Sequence, residues 1–273
     1  MSRFVQLPAL RCLRYEIALN GWRVLKETIN DFSLWRLIEY PWCTKALDLR
    51  PGDLVLDVGT GTATYPHMLA REGVNTVVLE LDAERVRWQQ RKANASKRPG
   101  DGTIYPVVAD ATALPIKDGV ARRLSAISSL EHIPNDTPVG RELGRVLAYG
   151  GVLVITIPYT RSKRSHFFKG VRPFREVEPN AFVQEGKPGS FFRFYTDETI
   201  EETYIKPSGG RVVKWGAFGR RILNGMYHET RLTKYWRRYV IKDWLLAKIV
   251  HPLEEQFGID TEPLYVMFKI VKN

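Results

Sequence analysis

Cysteine is scarce in this 273-residue chain, with only Cys12 and Cys43. Neither stands in a C-x-x-C pair, which excludes zinc ribbons and thioredoxin-type chemistry. Two buried thiols in a reducing compartment are favoured over a single disulfide. Long apolar runs are missing as well. A stretch such as Val152–Ile157, with Thr156 inside it, falls far short of a membrane span. Residues 1–22 carry Pro8, Arg11, Arg14 and Glu16, and lack the apolar core of a signal peptide. No internal repeat or low-complexity tract is present. These gaps lead to the expectation of a soluble, cytoplasmic protein, peripheral to a membrane at most. With 44% hydrophobic and 26% charged residues the chain is globular, which excludes disordered and fibrous classes. Its length fits one large domain or a domain with an elaborate insertion.

The charge is uneven. The net value is +11, yet residues 51–150 hold 12 basic and 12 acidic side chains, whereas residues 151–250 hold 19 and 9. Scattered Lys and Arg usually form a solvated face, but a block this lopsided beside a neutral one fits a partner surface equally well.

Hydrophobic patterning gives the organisation. Residues 10–49 read as helical, with Pro41-Trp42 breaking the run. Strands are expected over Leu54–Val58, Thr76–Leu81, Ile104–Ala109, Leu124–Ser129 and Val152–Ile157. The helices between them are expected over Thr62–Glu72, from a cap at Asp82 to Ala95, and over Asp136–Leu147. Pro106 places the third strand at a sheet edge. Alternation of this kind gives a parallel sheet. After Pro158 the rhythm breaks. Residues 159–195 mix Arg, Lys, Phe, Pro and Gly without a period. Thr196-Asp197-Glu198 opens a helix, Gly209-Gly210 stops it, and strands follow at Arg211–Trp215 and Glu262–Val271.

The most informative segment is Val55-Leu56-Asp57-Val58-Gly59-Thr60-Gly61-Thr62-Ala63-Thr64, a buried strand, a glycine turn and a helix start. Such a turn brings backbone close to a ligand and aims free N–H groups at it. A dinucleotide fingerprint would need glycine at position 64, which is Thr. An acid at the end of a buried strand is costly without a partner, so ligand binding is favoured over plain turn capping for Asp57.

With that acid, the segment resembles motif I of class I S-adenosylmethionine-dependent methyltransferases, Ala63 replacing the third glycine. The resemblance extends through Val77-Val78-Leu79-Glu80, Val108–Pro115, Ser129-Leu130-Glu131-His132-Ile133 and Arg141–Leu153, where Tyr149 replaces the usual proline. It implies a Rossmann-like, doubly wound α/β sheet of seven strands, mostly parallel with the last strand antiparallel. N-terminal helices and an acceptor-side insertion would be added to it. It also implies S-adenosylmethionine as cofactor, bound by Asp57, Gly59, Thr60, Gly61, Thr62, Glu80, Leu81, Asp110, Ala111 and Ser128. Glu80 is assigned to the ribose, because Asp82 is better placed as a helix cap. Asp110 reads either as an adenine contact or as a plain turn residue. The expected division is an N-terminal helical cap, 1–50, and a methyltransferase domain, 51–273, whose cofactor half is 51–158 and whose acceptor half is 159–273.

Methyl transfer to oxygen needs a base. His132 is the catalytic candidate, weighed against a structural histidine lining the cofactor pocket. No metal is expected, since the E-x-x-E-H frame of some relatives has Ser128 for its first Glu. The acceptor is expected to be a small molecule of anionic, aromatic or lipophilic character, held by residues 165–175 and Phe191-Phe192-Arg193-Phe194-Tyr195, with a small satellite core as the other reading for these aromatics. Residues 234–250 read as an amphipathic helix, packed on the sheet or lying on a membrane surface. RNA or protein is the alternative acceptor, docked on the basic 159–250 segment. A non-catalytic cofactor-binding protein is the second alternative.

Overall fold

The computed structural model describes residues 4–21, 36–161, 174–184, 186, 189–220 and 263–273. Residues 165–173, the amphipathic stretch 234–250 and Glu262 lie outside them.

Two helices come first, α1 (Ala9–Asn20) and α2 (Arg36–Leu47). The alternating unit follows: β1 (Leu54–Val58), α3 (Tyr65–Arg71), β2 (Asn75–Glu80), α4 (Ala83–Ser96), β3 (Ile104–Val108), β4 (Ala121–Ile127), α5 (Thr137–Val146) and β5 (Leu147–Pro158). Three short strands come next, β6 (Phe174–Glu178), β7 (Ala181–Gln184) and β8 (Phe192–Arg193), then α6 (Asp197–Ile200), which runs on through Glu201–Ile205 and Lys206–Ser208. The strands β9 (Gly210–Arg220) and β10 (Pro263–Lys272) complete the order.

The main sheet has seven strands in the order β3-β2-β1-β4-β5-β10-β9. The first five are mutually parallel. β10 is antiparallel to both its neighbours. This is the Rossmann-like doubly wound sheet that the sequence implies, and β3, which contains Pro106, is its edge. A second, three-stranded antiparallel sheet, β6-β7-β8, lies where no period was legible.

The strands alternate sides with the period of two that a covered sheet requires. Val55, Val152 and Val154 face α1, α2 and α3 and pack with Cys12, Leu37, Tyr40, Cys43 and Leu69. Leu56, Val58, Leu153, Ile155 and Ile157 face α5 and α6 and pack with Val139, Leu143, Ile200 and Tyr204. Both cysteines are buried and unbridged.

The structure corrects several local expectations. Pro41 does not break the first helical run but sits inside α2. Leu37, Tyr40, Cys43, Thr44 and Leu47 around it are all buried, and that packing outweighs the lost backbone bond. The helix expected from Thr62 starts at Tyr65, because Ala63 N donates to Thr60 O and keeps residues 60–63 in a turn. β4 begins three residues early and stops at Ile127, where Ser128 turns to φ +45°. The turn at Tyr149-Gly150-Gly151 is a bulge within β5, set between the pairs Ala121–Leu147 and Arg123–Val152.

Helix α5 owes its seat to two glycines. A Cβ at Gly140 would lie 1.8 Å from Thr203 O, and one at Gly144 2.7 Å from Pro207 O. The backbones of α5 and the α6 stretch therefore touch directly, and any larger side chain there would force them apart. No helix among the described residues is long and apolar enough to cross a membrane.

Candidate functional site

The glycine turn sits at the C-terminal end of β1, at the centre of the sheet. Gly59 has φ +71°, and a Cβ there would lie 2.7 Å from Ser129 Cβ. The turn thus packs on the chain leaving β4, and only glycine fits. Gly61 also has a positive φ, +60°, and the nearest atom to its ideal Cβ is Arg85 Nη1, at 3.9 Å, so its outer side is open. A ligand can approach the backbone at Gly61 but not at Gly59.

Asp57 is 3% exposed and serves the turn itself. Its Oδ1 accepts from Ser125 Oγ at 2.5 Å and its Oδ2 from Thr60 Oγ1 at 2.7 Å. Burial raises its pKa to about 6, against the opposing pull of the two hydroxyls. Its shown contacts are those of a residue that fixes the turn.

Glu80, at the end of β2, is 7% exposed. Oε2 accepts from Gly61 N at 2.8 Å and Oε1 from Asp82 N at 3.1 Å. Asp82 caps α4, its Oδ1 accepting from Glu84 N and Arg85 N, which separates the two acids as the sequence reading did. Leu81, at 66% exposure, offers a bare apolar surface directly after Glu80. Thr60 is buried and Thr62 exposed, so only Thr62 of the pair presents its side chain to a ligand. Asp110 is exposed, and its Oδ1 accepts from Thr112 N at 2.8 Å and Thr112 Oγ1 at 2.7 Å, which hold its pKa below the usual carboxylate range. It is therefore a turn residue in its local bonds. Ala111 packs on the core beside it.

Ser128 is tied to the N-terminal helices. Its Oγ donates to Glu39 Oε1 at 2.5 Å, and Thr156 Oγ1 donates to the same oxygen at 2.8 Å. Glu39 reaches in from α2 and also pairs with Arg36 at 2.9 Å. Buried Glu16 of α1 accepts from Thr64 Oγ1 at the start of α3. The N-terminal helices therefore close over the glycine turn with acids that the sequence reading had not connected to it. Their signal was faint: Glu39 is an acid among Leu37, Ile38 and Tyr40 in an apolar stretch. Glu131 is 1% exposed and its Oε2 has no hydrogen-bond partner among the described residues. Burial, reinforced by Glu39, raises its pKa to about 8, so it is largely neutral at pH 7.

His132 follows in a single 3-10 turn, Leu130–His132, and keeps open surface. Its Nδ1 lies 3.0 Å from Phe191 O. A carbonyl only accepts, so Nδ1 carries the proton and Nε2 of the neutral ring is an available base. Partial loss of water lowers its pKa below the ordinary value, and Arg85 and Arg36 push the same way. The His132 ring stands 5.5 Å from that of Phe192. Within 191–195, Phe191 and Phe194 are buried apart from the main core, whereas Tyr195 packs in that core with Leu130 and Tyr204. Arg193 is bound to Asp136 and Glu178, so its charge is already matched. Only Phe192 of the five faces the histidine with partly open surface.

Residues 56–155 match the family described as a methyltransferase domain. A 16S rRNA (adenine(1408)-N(1))-methyltransferase of Streptoalloteichus hindustanus is 37% identical over 101 residues, covering 37% of this chain and 39% of that protein. A demethylmenaquinone methyltransferase of Clavibacter sepedonicus is 26% identical over 190 residues, covering 67% of this chain and 74% of the relative. The chain spans only 39%, 32% and 33% of the length of three of the curated relatives it matches. Among solved structures, a SAM-dependent methyltransferase from Methanosarcina mazei shares the fold, with TM-score 0.55 and 15% identity over 82% of this chain and 94% of that one.

Proposed function

We propose that the chain, whose residues 56–155 match a methyltransferase domain, transfers a methyl group from S-adenosylmethionine to a small acceptor of aromatic, anionic or lipophilic character. The glycine turn suits the cofactor. Gly61 is open on its outer side, and the Glu80 carboxylate beside it is an acceptor suited to ribose hydroxyls. Bound there, the cofactor supplies an electrophilic methyl. The chain itself contributes the cradle, the ribose acid and His132.

The observation that carries the acceptor class is the meeting of His132 with Phe192. A neutral histidine with Nε2 available, beside an aromatic face, suits an O–H group on a ring or isoprenoid body. Its contribution is to take the acceptor proton as the oxygen attacks, with orientation supplying much of the remainder. The demethylmenaquinone relative is named for a quinone with an isoprenoid body, which supports the ring and lipophilic part of this reading. The two buried, unbridged thiols accord with a cytoplasmic setting.

RNA is the second reading, favoured by the 19 basic residues in 151–250 and by the rRNA-methylating relative. One experiment separates these. Cofactor binding is measured by calorimetry, and label transfer from methyl-labelled S-adenosylmethionine is followed into a panel of phenols and quinols and into ribosomal RNA. Labelled quinol or phenol supports the proposal. Labelled RNA, with binding that falls steeply with salt, replaces it by the second reading. Cofactor binding without transfer to either overturns both in favour of a non-catalytic binding protein.

A further inference from the structure

The glycine turn is also held from the side of α4. That helix has one buried residue, and it is polar: Gln89, at 0% exposure. Asp82, Arg85 and Gln89 recur at helical spacing, so they share one face of α4. The face meets the turn. Arg85 Nη1 lies 3.9 Å from the ideal Cβ of Gly61, and Gln89 Nε2 donates to Gly61 O and Ala63 O, both at 3.0 Å. An apolar side chain would fill the position without desolvating an amide. The bonds of Gln89, more than its bulk, therefore account for a glutamine there.

Both amide hydrogens are engaged by carbonyls, which only accept, so Gln89 Oε1 points the other way. There it meets His67 Nε2 at 2.7 Å. Burial lowers the pKa of His67 to about 4, so the ring is neutral at pH 7, and its single proton lies on Nε2. A flipped amide would set Oε1 against two carbonyl oxygens and lose the histidine proton. His67 thus admits one orientation of the amide.

The consequence reaches the open side of the turn. In a trans peptide the N–H points opposite to the C=O, and no peptide bond among the described residues is cis. With the carbonyls of Gly61 and Ala63 drawn toward Gln89, the N–H groups of Thr62 and Thr64 turn away from it. Thr62 is exposed, and its N–H has no acceptor among the described residues. Gly61 N, by contrast, is already taken by Glu80 Oε2 at 2.8 Å.

We propose that Gln89 is a positioning residue for S-adenosylmethionine: held in one orientation by His67, it pins the carbonyls of Gly61 and Ala63 and keeps the Thr62 N–H turned to the ligand side. This role rests on the glycine turn being the cofactor cradle. Gln89 itself touches no ligand.

The test measures the affinity of the full chain for S-adenosylmethionine and S-adenosylhomocysteine by calorimetry, well below Tm, with the Thr62 amide followed by NMR. Gln89→Met keeps the bulk and removes the amide; it should weaken both ligands about tenfold and shift the Thr62 amide in the free protein. His67→Phe releases the amide and should weaken them about threefold. The double variant should lose no more than Gln89→Met alone, because His67 acts through the amide. Ile104→Ala is the control for stability. Ile104 packs with Ala70 and Val78 and pairs with Thr76, at the end of β2 away from Glu80. This variant should lower Tm and leave affinity and the Thr62 amide unchanged. If Gln89→Met does not fold, His67→Phe set against Ile104→Ala still decides. Parental affinity in Gln89→Met, additive losses in the double variant, or an equal loss in Ile104→Ala would each overturn the proposal. A parent chain that binds neither ligand would overturn the cofactor reading itself, a result distinct from these.

Discussion

Ser125 Oγ donates to Asp57 Oδ1 at 2.5 Å, so the acid that ends β1 is fastened by the neighbouring strand β4. This bond favours the ionised carboxylate, while burial opposes it and raises the pKa to about 6. Ser125→Ala removes the favourable part alone. The folded-state pKa of Asp57 then rises further, and the loss of stability is small at pH 4 and grows as the pH increases through 6 to about 1–3 kcal/mol. Denaturant melts at pH 4 and pH 8 read this directly, and an equal loss at both would contradict it.

Glu80→Ala removes the acceptor for Gly61 N and Asp82 N. Affinity for S-adenosylmethionine should fall at least about tenfold, with the circular-dichroism spectrum unchanged. Calorimetry checks this, and undiminished affinity would remove Glu80 from the cofactor site.

Glu131 offers a pH test of the interior. Its pKa rises from 4.5 to about 8 on folding. The native state therefore binds the extra proton between these values, and stability declines as the pH rises from 4.5 to 8. Glu131→Gln cannot ionise. The variant should match the parent near pH 5 and exceed it by several degrees in Tm at pH 9 (about 2–4 °C for each kcal/mol). A variant that tracks the parent at both pH values would show the side chain to be ionised in the fold.

For His132 the expectation is kinetic. Its pKa is lowered, so the base form is present from neutral pH upward and kcat should be flat there. With a hydroxyl acceptor, His132→Ala should lower kcat about 10²–10⁴-fold and leave cofactor affinity intact. Unchanged turnover would make the residue structural.

Much of this architecture is legible in the chain, for a physical reason. β1, β2 and β5 are covered on both faces, so their apolar runs stand out between turns, and Asp57-x-Gly59-x-Gly61 marks where the sheet opens. Pro106 placed β3 at the edge because a proline cannot donate to a second neighbour. The β6–β8 sheet was not legible, because Phe182, Phe191 and Phe194 bury themselves in a small core that lacks a regular period. Pro41 misled, since the packing of α2 is tertiary and local propensity carries no trace of it. The bonds of Glu39 to Ser128 and Thr156 cross most of the cofactor half, and no spacing rule connects such distant positions. Gln89, which links the glycine turn to His67, was hidden for the same reason.

The placing of β10 also orders the folding reaction. β9 precedes β10 in the chain, yet it touches the sheet only through β10, which lies between it and β5. The five parallel strands can assemble from nearby segments, whereas the pairing of Tyr265 with Pro158 closes a very long loop and belongs among the slow, late steps. Until then β9 has no neighbour within the sheet and the outer edge of β5 stays unpaired, a template for another chain. The crevice beside the glycine turn can exist before the sheet is whole, and the interval before β10 docks is when the nascent protein is most exposed to aggregation.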